Sequence, residues 1–428
     1  GEIFIRDAKR SGGRFPIATN RLTYTMYAVP TDIRDPGRTA RLLAPKLGME
    51  EPALRERLAK PGDPYEPLKR EVSREERDGI LALKLPGIAA EPSLVRFYPD
   101  GPRAAHLTGF VGEDAQGRSG RYRLEGAFDR VLAGTTGFRS EERDPRGRWI
   151  VFGRREGTRA EDGADLLLTI DRSMQLEVCR ALEQAVAAHG AAGGTVVVMH
   201  PMTGAIRAMC SVPSFDPNRY RETTDLARFR NPAIAGAYEP GSVFKPITMA
   251  AAIDAGAVDT TTTFTDTGSV TINGQTITNT DGRVYGTRTM PDVLRFSINT
   301  GAVFVAKALG TPRFRTALEH FGFGALSDIE LAGEVAGDTS SLAHREDIYL
   351  ATASFGQGIT VTPLQLATAY AAIANGGKLM SPYAVEETVA PGGERRRTQP
   401  RVIRQVVSTR TATLLQGMLV SVVRDGYP

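Results

Sequence analysis

The sequence predicts an α+β protein in which helices pack on an antiparallel sheet. Two observations carry this: a β-hairpin near the middle of the chain and a long helical block after it, in a sequence with no internal repeat or low-complexity segment. At 428 residues the chain exceeds what one hydrophobic core usually serves, so two or three domains are expected. With 41% apolar and 24% charged residues the composition is that of an ordinary globular protein, and the fold has to be read from pattern.

The chain opens on Gly1-Glu2-Ile3-Phe4-Ile5-Arg6-Asp7, which reads as the middle of a strand and carries no methionine, so an upstream segment is expected to have been removed. Residues 22–29 form a β-like run, and 41–60 a charged helical stretch. A section rich in Gly and Arg, 134–163, reads as extended and exposed and ends at a boundary. The junction is placed near Gly163, giving an N-terminal domain over 1–162 and a second domain over 163–428. In the second domain Asp165–Asp171 reads as a strand leading into a helix over Arg172–Ala188. Strands at 195–199 and 205–209 flank the turn His200-Pro201-Met202-Thr203-Gly204.

From Gly241 to about Leu309 the pattern is helical, interrupted by a polar section rich in Thr and Gly over 260–286. Further helices are expected over Pro363–Ala374, closed by Asn375-Gly376-Gly377, and over 409–423. Two strands are too few for a stable sheet, so more strands are expected beyond the last helix.

Composition also excludes function classes. The 53 basic residues are nearly balanced by 49 acidic ones and scattered along the chain, and the densest cluster, Arg395-Arg396-Arg397, follows Pro391-Gly392-Gly393 and reads as a solvated loop tip. No nucleic-acid partner is implied. Cys179 and Cys210 fall in segments that read as helix and strand, without metal-ligand companions at short spacing, and the five histidines are equally dispersed. No metal, no cofactor and no disulfide are expected. No run approaches the roughly 18 apolar residues of a membrane helix, and no signal peptide is present.

The chemistry is concentrated in Tyr238-Glu239-Pro240-Gly241-Ser242-Val243-Phe244-Lys245-Pro246. A hydroxyl and an amine three residues apart on a new helix share a face, so the amine of Lys245 can take the proton of Ser242. Pro240-Gly241 reverses the chain and presents that hydroxyl at a helix N-terminus, where outward backbone N–H groups favour a developing oxyanion. The bland reading makes Ser242 an N-cap and Lys245 a solvated first-turn residue. To act as a base, Lys245 needs its pKa lowered from about 10.4 to near 7, roughly 4 to 5 kcal/mol of differential environment. Burial would do this, with Phe244 and Phe296 as candidate apolar cover. Ser297-Ile298-Asn299, beginning 52 residues after Lys245, supplies a second hydroxyl to relay a proton and an amide to orient a substrate peptide. The alternative there is a capping Ser and a loop-stabilising Asn.

Together these motifs resemble the class B penicillin-binding proteins, monofunctional peptidoglycan D,D-transpeptidases. The likeness extends to Gly163-Ala164-Asp165 through Ile170-Asp171 with Gln175, to Pro213-Ser214-Phe215-Asp216-Pro217-Asn218, and to Ala353-Ser354-Phe355-Gly356-Gln357-Gly358 with Val361-Thr362-Pro363-Leu364-Gln365. The last two groups read as mainly architectural. The resemblance is good over 95–428 and looser before it, as a non-catalytic, elongated pedestal or dimerisation-type domain would be.

What the resemblance implies is a penicillin-binding transpeptidase fold in which Ser242 attacks the penultimate D-Ala carbonyl of a stem peptide. Lys245 is then the general base, Ser297 assists proton transfer, and Asn299 holds the substrate amide. It further implies covalent inhibition by β-lactams, a membrane anchor with the enzyme on the extracytoplasmic face, and a membrane glycan polymerase of division or elongation as partner. A non-catalytic β-lactam sensor, a degenerate scaffold, and a D,D-carboxypeptidase or β-lactamase are the rival readings. The family's third motif, Lys-Thr-Gly on a strand lining the cleft, does not occur in these 428 residues. The expectation is therefore a fragment of a longer protein, poorly stable and poorly reactive alone.

Overall fold

The computed structural model describes residues 1–9, 12–114, 117–141 and 155–425. Of the Gly- and Arg-rich section expected to be extended, residues 142–154 lie outside the described residues. The chain divides into two compact units, one of residues 18–99 and one of residues 1–17 with 100–428.

In the smaller unit, the part of the strand Arg14–Ala28 from residue 18 onward pairs antiparallel with Ile88–Phe97, from Thr19 opposite Phe97 to Ala28 opposite Ile88. It also pairs with Glu66–Val72. Helices Pro36–Leu47 and Glu51–Leu58 fill the expected charged helical stretch, and Arg74–Leu81 adds a third. Their starts are written in the sequence: the Asp35 side chain accepts from Arg38 N at 2.9 Å, and Ser73 and Glu76 close a reciprocal capping box. Met26, Leu43, Leu54, Leu58, Val72 and Ile80 form the apolar centre.

In the larger unit, Ile3–Arg6 lies parallel to Asp165–Asp171, which pairs antiparallel with Val385–Val389. Val385–Val389 in turn pairs with Arg395–Arg397. The arginine cluster expected as a loop tip is therefore a short exposed strand. Its cause is Glu387 on the facing strand, 2% exposed, which receives Arg397 Nε at 3.3 Å and Arg395 Nη1 at 3.5 Å.

The hairpin is present as Gly194–Met199 against Ile206–Val212, with Val197 opposite Met209. The helix Arg172–Ala188 packs across it. Gln175 is 2% exposed and exchanges two hydrogen bonds with Met209, donating from Nε2 to its O at 2.8 Å and accepting from its N at Oε1 at 2.9 Å. This docking brings Cys179 and Cys210 to a Cα separation of 5.5 Å, and they form a disulfide. The expectation of no disulfide is thus corrected. Distance along the chain is no guide where a helix folds back on the hairpin that follows it.

The polar section 260–286 is two small antiparallel pairs, Thr263–Asp266 with Gly286–Thr289, and Ser269–Ile272 with Gln275–Thr278. The helices Met290–Arg295 and Asn299–Leu309 pack against it, and Lys245–Asp254, Thr311–His320, Pro363–Ala374 and Thr409–Asp425 complete the helical block. Phe244, Ile247, Val305, Phe314, Leu415 and Met418 belong to the helical core. The Lys245 helix is almost wholly buried and rich in Ala, which lets it pack against the Asn299 and Thr409 helices. At Gly301 an added Cβ would stand 2.6 Å from Val293 Cγ2, so the Asn299 helix needs glycine at this close approach. Among the described residues no helix is long and apolar enough to cross a membrane.

Candidate active site

Ser242 lies in a 3₁₀ turn, Gly241–Phe244, that runs directly into the helix Lys245–Asp254 with Pro246 in its first turn. Gly241 has φ +66°, the left-handed conformation that a residue with a side chain rarely adopts, and the chain reverses there as its sequence implies. Ser242 is exposed, whereas Lys245, three residues on, is 2% exposed. Phe244 is fully buried against Phe323 and closes the inner side of the turn.

The amine of Lys245 sits between two hydroxyls, with Nζ 3.1 Å from Ser242 Oγ and 2.9 Å from Ser297 Oγ. It also donates to Ser297 O at 2.5 Å. Burial pushes its pKa down to about 7, so an appreciable share of the amine is neutral near neutral pH. A neutral amine has one lone pair and two N–H bonds. It can therefore accept the Ser242 hydroxyl hydrogen while donating to Ser297.

Ser297 is held there by its backbone. The helix Met290–Arg295 ends with Ser297 N donating to Leu294 O at 3.2 Å and Ile298 N to Val293 O at 3.0 Å, the paired bonds of a Schellman ending. Ser297 occupies the position such endings give to glycine and has φ +52°. Sequence reading reached the hydroxyl of Ser297 but not this conformation, because serine is an uncommon choice for it.

Asn299 begins the helix Asn299–Leu309. Its Nδ2 donates to Thr278 O at 2.9 Å and lies 3.4 Å from Thr280 Oγ1. Phe296, expected as apolar cover, stacks on Tyr285 with centroids 5.5 Å apart. The guanidinium carbons of Arg288 and Arg295 stand 5.3 and 5.0 Å from the Phe296 ring centre. It is half-buried and packs against the helical core.

The segment 353–361 is the support that sequence reading took as architecture without seeing what it supports. Gly241 N donates to Gly356 O at 3.0 Å, and Gly358 N to the Glu239 carboxylate at 2.8 Å. Tyr238 and Val361 exchange backbone bonds at 2.9 and 3.0 Å. Thr248 Oγ1 donates to Ser354 O at 2.8 Å, and Tyr370 OH to Val243 O at 2.7 Å. The turn carrying Ser242 is thus braced from both sides. Its sequence signals were the family resemblance of the segment and its glycines at 356 and 358, where φ is +78° and +72°.

Comparison with known proteins identifies the family of the chain. The family model for the penicillin binding protein transpeptidase domain matches residues 194–427, and that for the penicillin-binding protein dimerisation domain matches residues 5–168. Stage V sporulation protein D of Bacillus subtilis (strain 168) is 32% identical over 100% of this chain and 65% of its own length. Peptidoglycan D,D-transpeptidase FtsI of Escherichia coli (strain K12) is 33% identical over 94% of this chain and 68% of its own length. The chain thus spans about two thirds of the length of these relatives, a little less in the first case. The crystal structure of penicillin binding protein 2X from Streptococcus thermophilus has a TM-score of 0.79 at 22% identity, covering 98% of this chain and 65% of that one, a likeness of fold. Penicillin binding protein 3 from Mycobacterium tuberculosis, complexed with aztreonam, has a TM-score of 0.68 at 32% identity, covering 78% of this chain and 70% of that one.

Proposed function

The chain belongs to the class B penicillin-binding proteins, and on that premise we propose that it is a peptidoglycan D,D-transpeptidase working through an acyl-enzyme on Ser242. The observation that carries this reading is the buried Lys245 amine, 3.1 Å from one hydroxyl and 2.9 Å from another. Neutral Lys245 takes the proton as Ser242 Oγ adds to the penultimate D-Ala carbonyl of a donor stem peptide. The oxyanion forms beside the Ser242 N–H, at the start of the turn. The C–N bond then breaks, and the proton held by Lys245 passes through the Ser297 hydroxyl to the departing D-Ala amine.

What remains is an ester on Ser242 and a neutral Lys245. The amine of a second stem peptide attacks that ester, Lys245 removes its proton, and the new amide leaves as Ser242 regains its hydrogen. Asn299, whose NH2 is directed to Thr278, has its carbonyl oxygen to offer to a substrate N–H. A β-lactam follows the first half of this course, its strained amide opening to leave an ester on the same serine. Residues 1–162 carry no chemistry in this reading. The enzyme faces the extracytoplasmic side of the membrane, with a membrane glycan polymerase as partner. The names of the relatives favour transpeptidation over a sensor, a scaffold or a hydrolase.

The test is labelling with a fluorescent penicillin followed by mass spectrometry of the modified peptide. The expected adduct lies on the peptide containing Ser242 and vanishes in Ser242→Ala, which keeps its thermal transition. An adduct on another serine would refute the assignment.

A further inference from the structure

Against the first turn of the Asn299–Leu309 helix stands a carboxylate that the acyl-transfer scheme does not use. Asp266 closes the strand Thr263–Asp266 and is 2% exposed, yet among the described residues it accepts four hydrogen bonds. Thr300 Oγ1 donates to Oδ1 at 2.6 Å and Gly268 N at 2.9 Å, while Tyr285 N and Asn279 Nδ2 donate to Oδ2 at 2.7 and 3.0 Å. Burial alone would raise its pKa, but the bonds from Thr300, Tyr285, Gly268 and Asn279 outweigh it and hold Asp266 below the ordinary carboxylate range. Asn279 is 3% exposed and bridges to the same helix, its Oδ1 accepting from Thr300 N at 3.3 Å.

Thr300 N is one of the backbone donors that a helix start leaves without an intrahelical partner, and a negative charge beside that start is favoured by the helix dipole. The residue before it, Asn299, is held by Thr278 O, the residue before Asn279. Two residues earlier again, Ser297 receives the Lys245 amine on both its O and Oγ. The four residues 297–300 are therefore gripped at one end by the nucleophile helix and at the other by the small strand pairs of 263–289. A buried, fully satisfied network of this kind is stiff, and losing one member leaves its partners unpaired.

We propose that Asp266, with Asn279 and Thr300, is a positioning residue for acyl transfer: the three side chains clamp the first turn of the Asn299 helix and so fix where Ser297 and Asn299 stand relative to Lys245. The proposal rests on the reading of Ser242, Lys245 and Ser297 given above. It assigns a function to the polar section 260–286, whose hydrogen bonds reach Asn299 and Thr300.

The experiment is single-turnover acylation of the full-length protein by excess fluorescent penicillin, which separates the limiting rate from the amplitude. Thr300→Val, which keeps the shape and removes the hydroxyl, and Asp266→Asn should each slow the limiting rate about tenfold or more at wild-type amplitude. Thr300→Ser, which restores the hydroxyl, should return it to within about twofold of wild type. A wild-type rate in Thr300→Val and Asp266→Asn overturns the proposal. So does a reduced amplitude, down to none, with the labelled fraction reacting at the wild-type rate, since that is a contribution to stability alone. Failure of the wild type itself to acylate at Ser242 would instead sink the underlying reading.

Discussion

Ser297 shows how much of a site lies at single residues. Its left-handed backbone costs a non-glycine residue about 1 to 2 kcal/mol, and the reward is a hydroxyl aimed at the Lys245 amine. Ser297→Gly should therefore raise the thermal midpoint by the equivalent of about 1 kcal/mol while slowing acylation about tenfold or more. Ser297→Ala should slow acylation similarly with no gain in stability. A Gly variant no more stable than the Ala variant in calorimetry would contradict strain at this position. The partnership of Ser242 and Lys245 was legible because three residues on one helix face fix their separation. That Ser297 works with the same amine came from the family resemblance alone, since helix spacing says nothing across 52 residues. Asp266 was invisible for a related reason: a section rich in Thr and Gly reads as an interruption, and its hydrogen bonds exist only once the strand pairs fold.

At the level of elements, the helices Arg172–Ala188 and Pro363–Ala374 stand where their periodicity and end signals placed them, because both are local properties. The Cys179–Cys210 bond and the Arg395–Arg397 strand escaped because each depends on a partner element, the hairpin in one case and Glu387 in the other. The brace over 353–361 is of the same kind, and it makes a sharp prediction at Gly356. A Cβ there would stand 2.3 Å from Gly241 O and 2.6 Å from Gly241 N, so Gly356→Ala must displace the turn that presents Ser242. We expect acylation to fall about tenfold or more and stability by about 1 to 3 kcal/mol. Gly393→Ala is the control, for φ is +86° but no heavy atom lies within 4 Å, so it should cost about 1 kcal/mol and leave acylation unchanged. Equal acylation rates in the two variants would remove the brace from the account.

At the scale of the whole molecule, the α+β class was legible from the hairpin and the helical block, and the family from motifs spread over residues 163–365. The property on which function turns belongs to no motif. Lys245 has a lowered pKa because helices from 245 to 425 close around it and take its amine out of water. The sign follows directly: the base form is the neutral amine, so acylation must be slow when the amine is charged and fast when it is not. The measurement that tests this most directly is the second-order rate of β-lactam acylation of the full-length protein from pH 5.5 to 10. The rate should rise about tenfold per pH unit at the acid end and level off above about 7, following the deprotonation of one group. A rate that is flat across neutrality, or that keeps climbing to pH 10 where an ordinary lysine titrates, would contradict a buried, neutral Lys245 as the base.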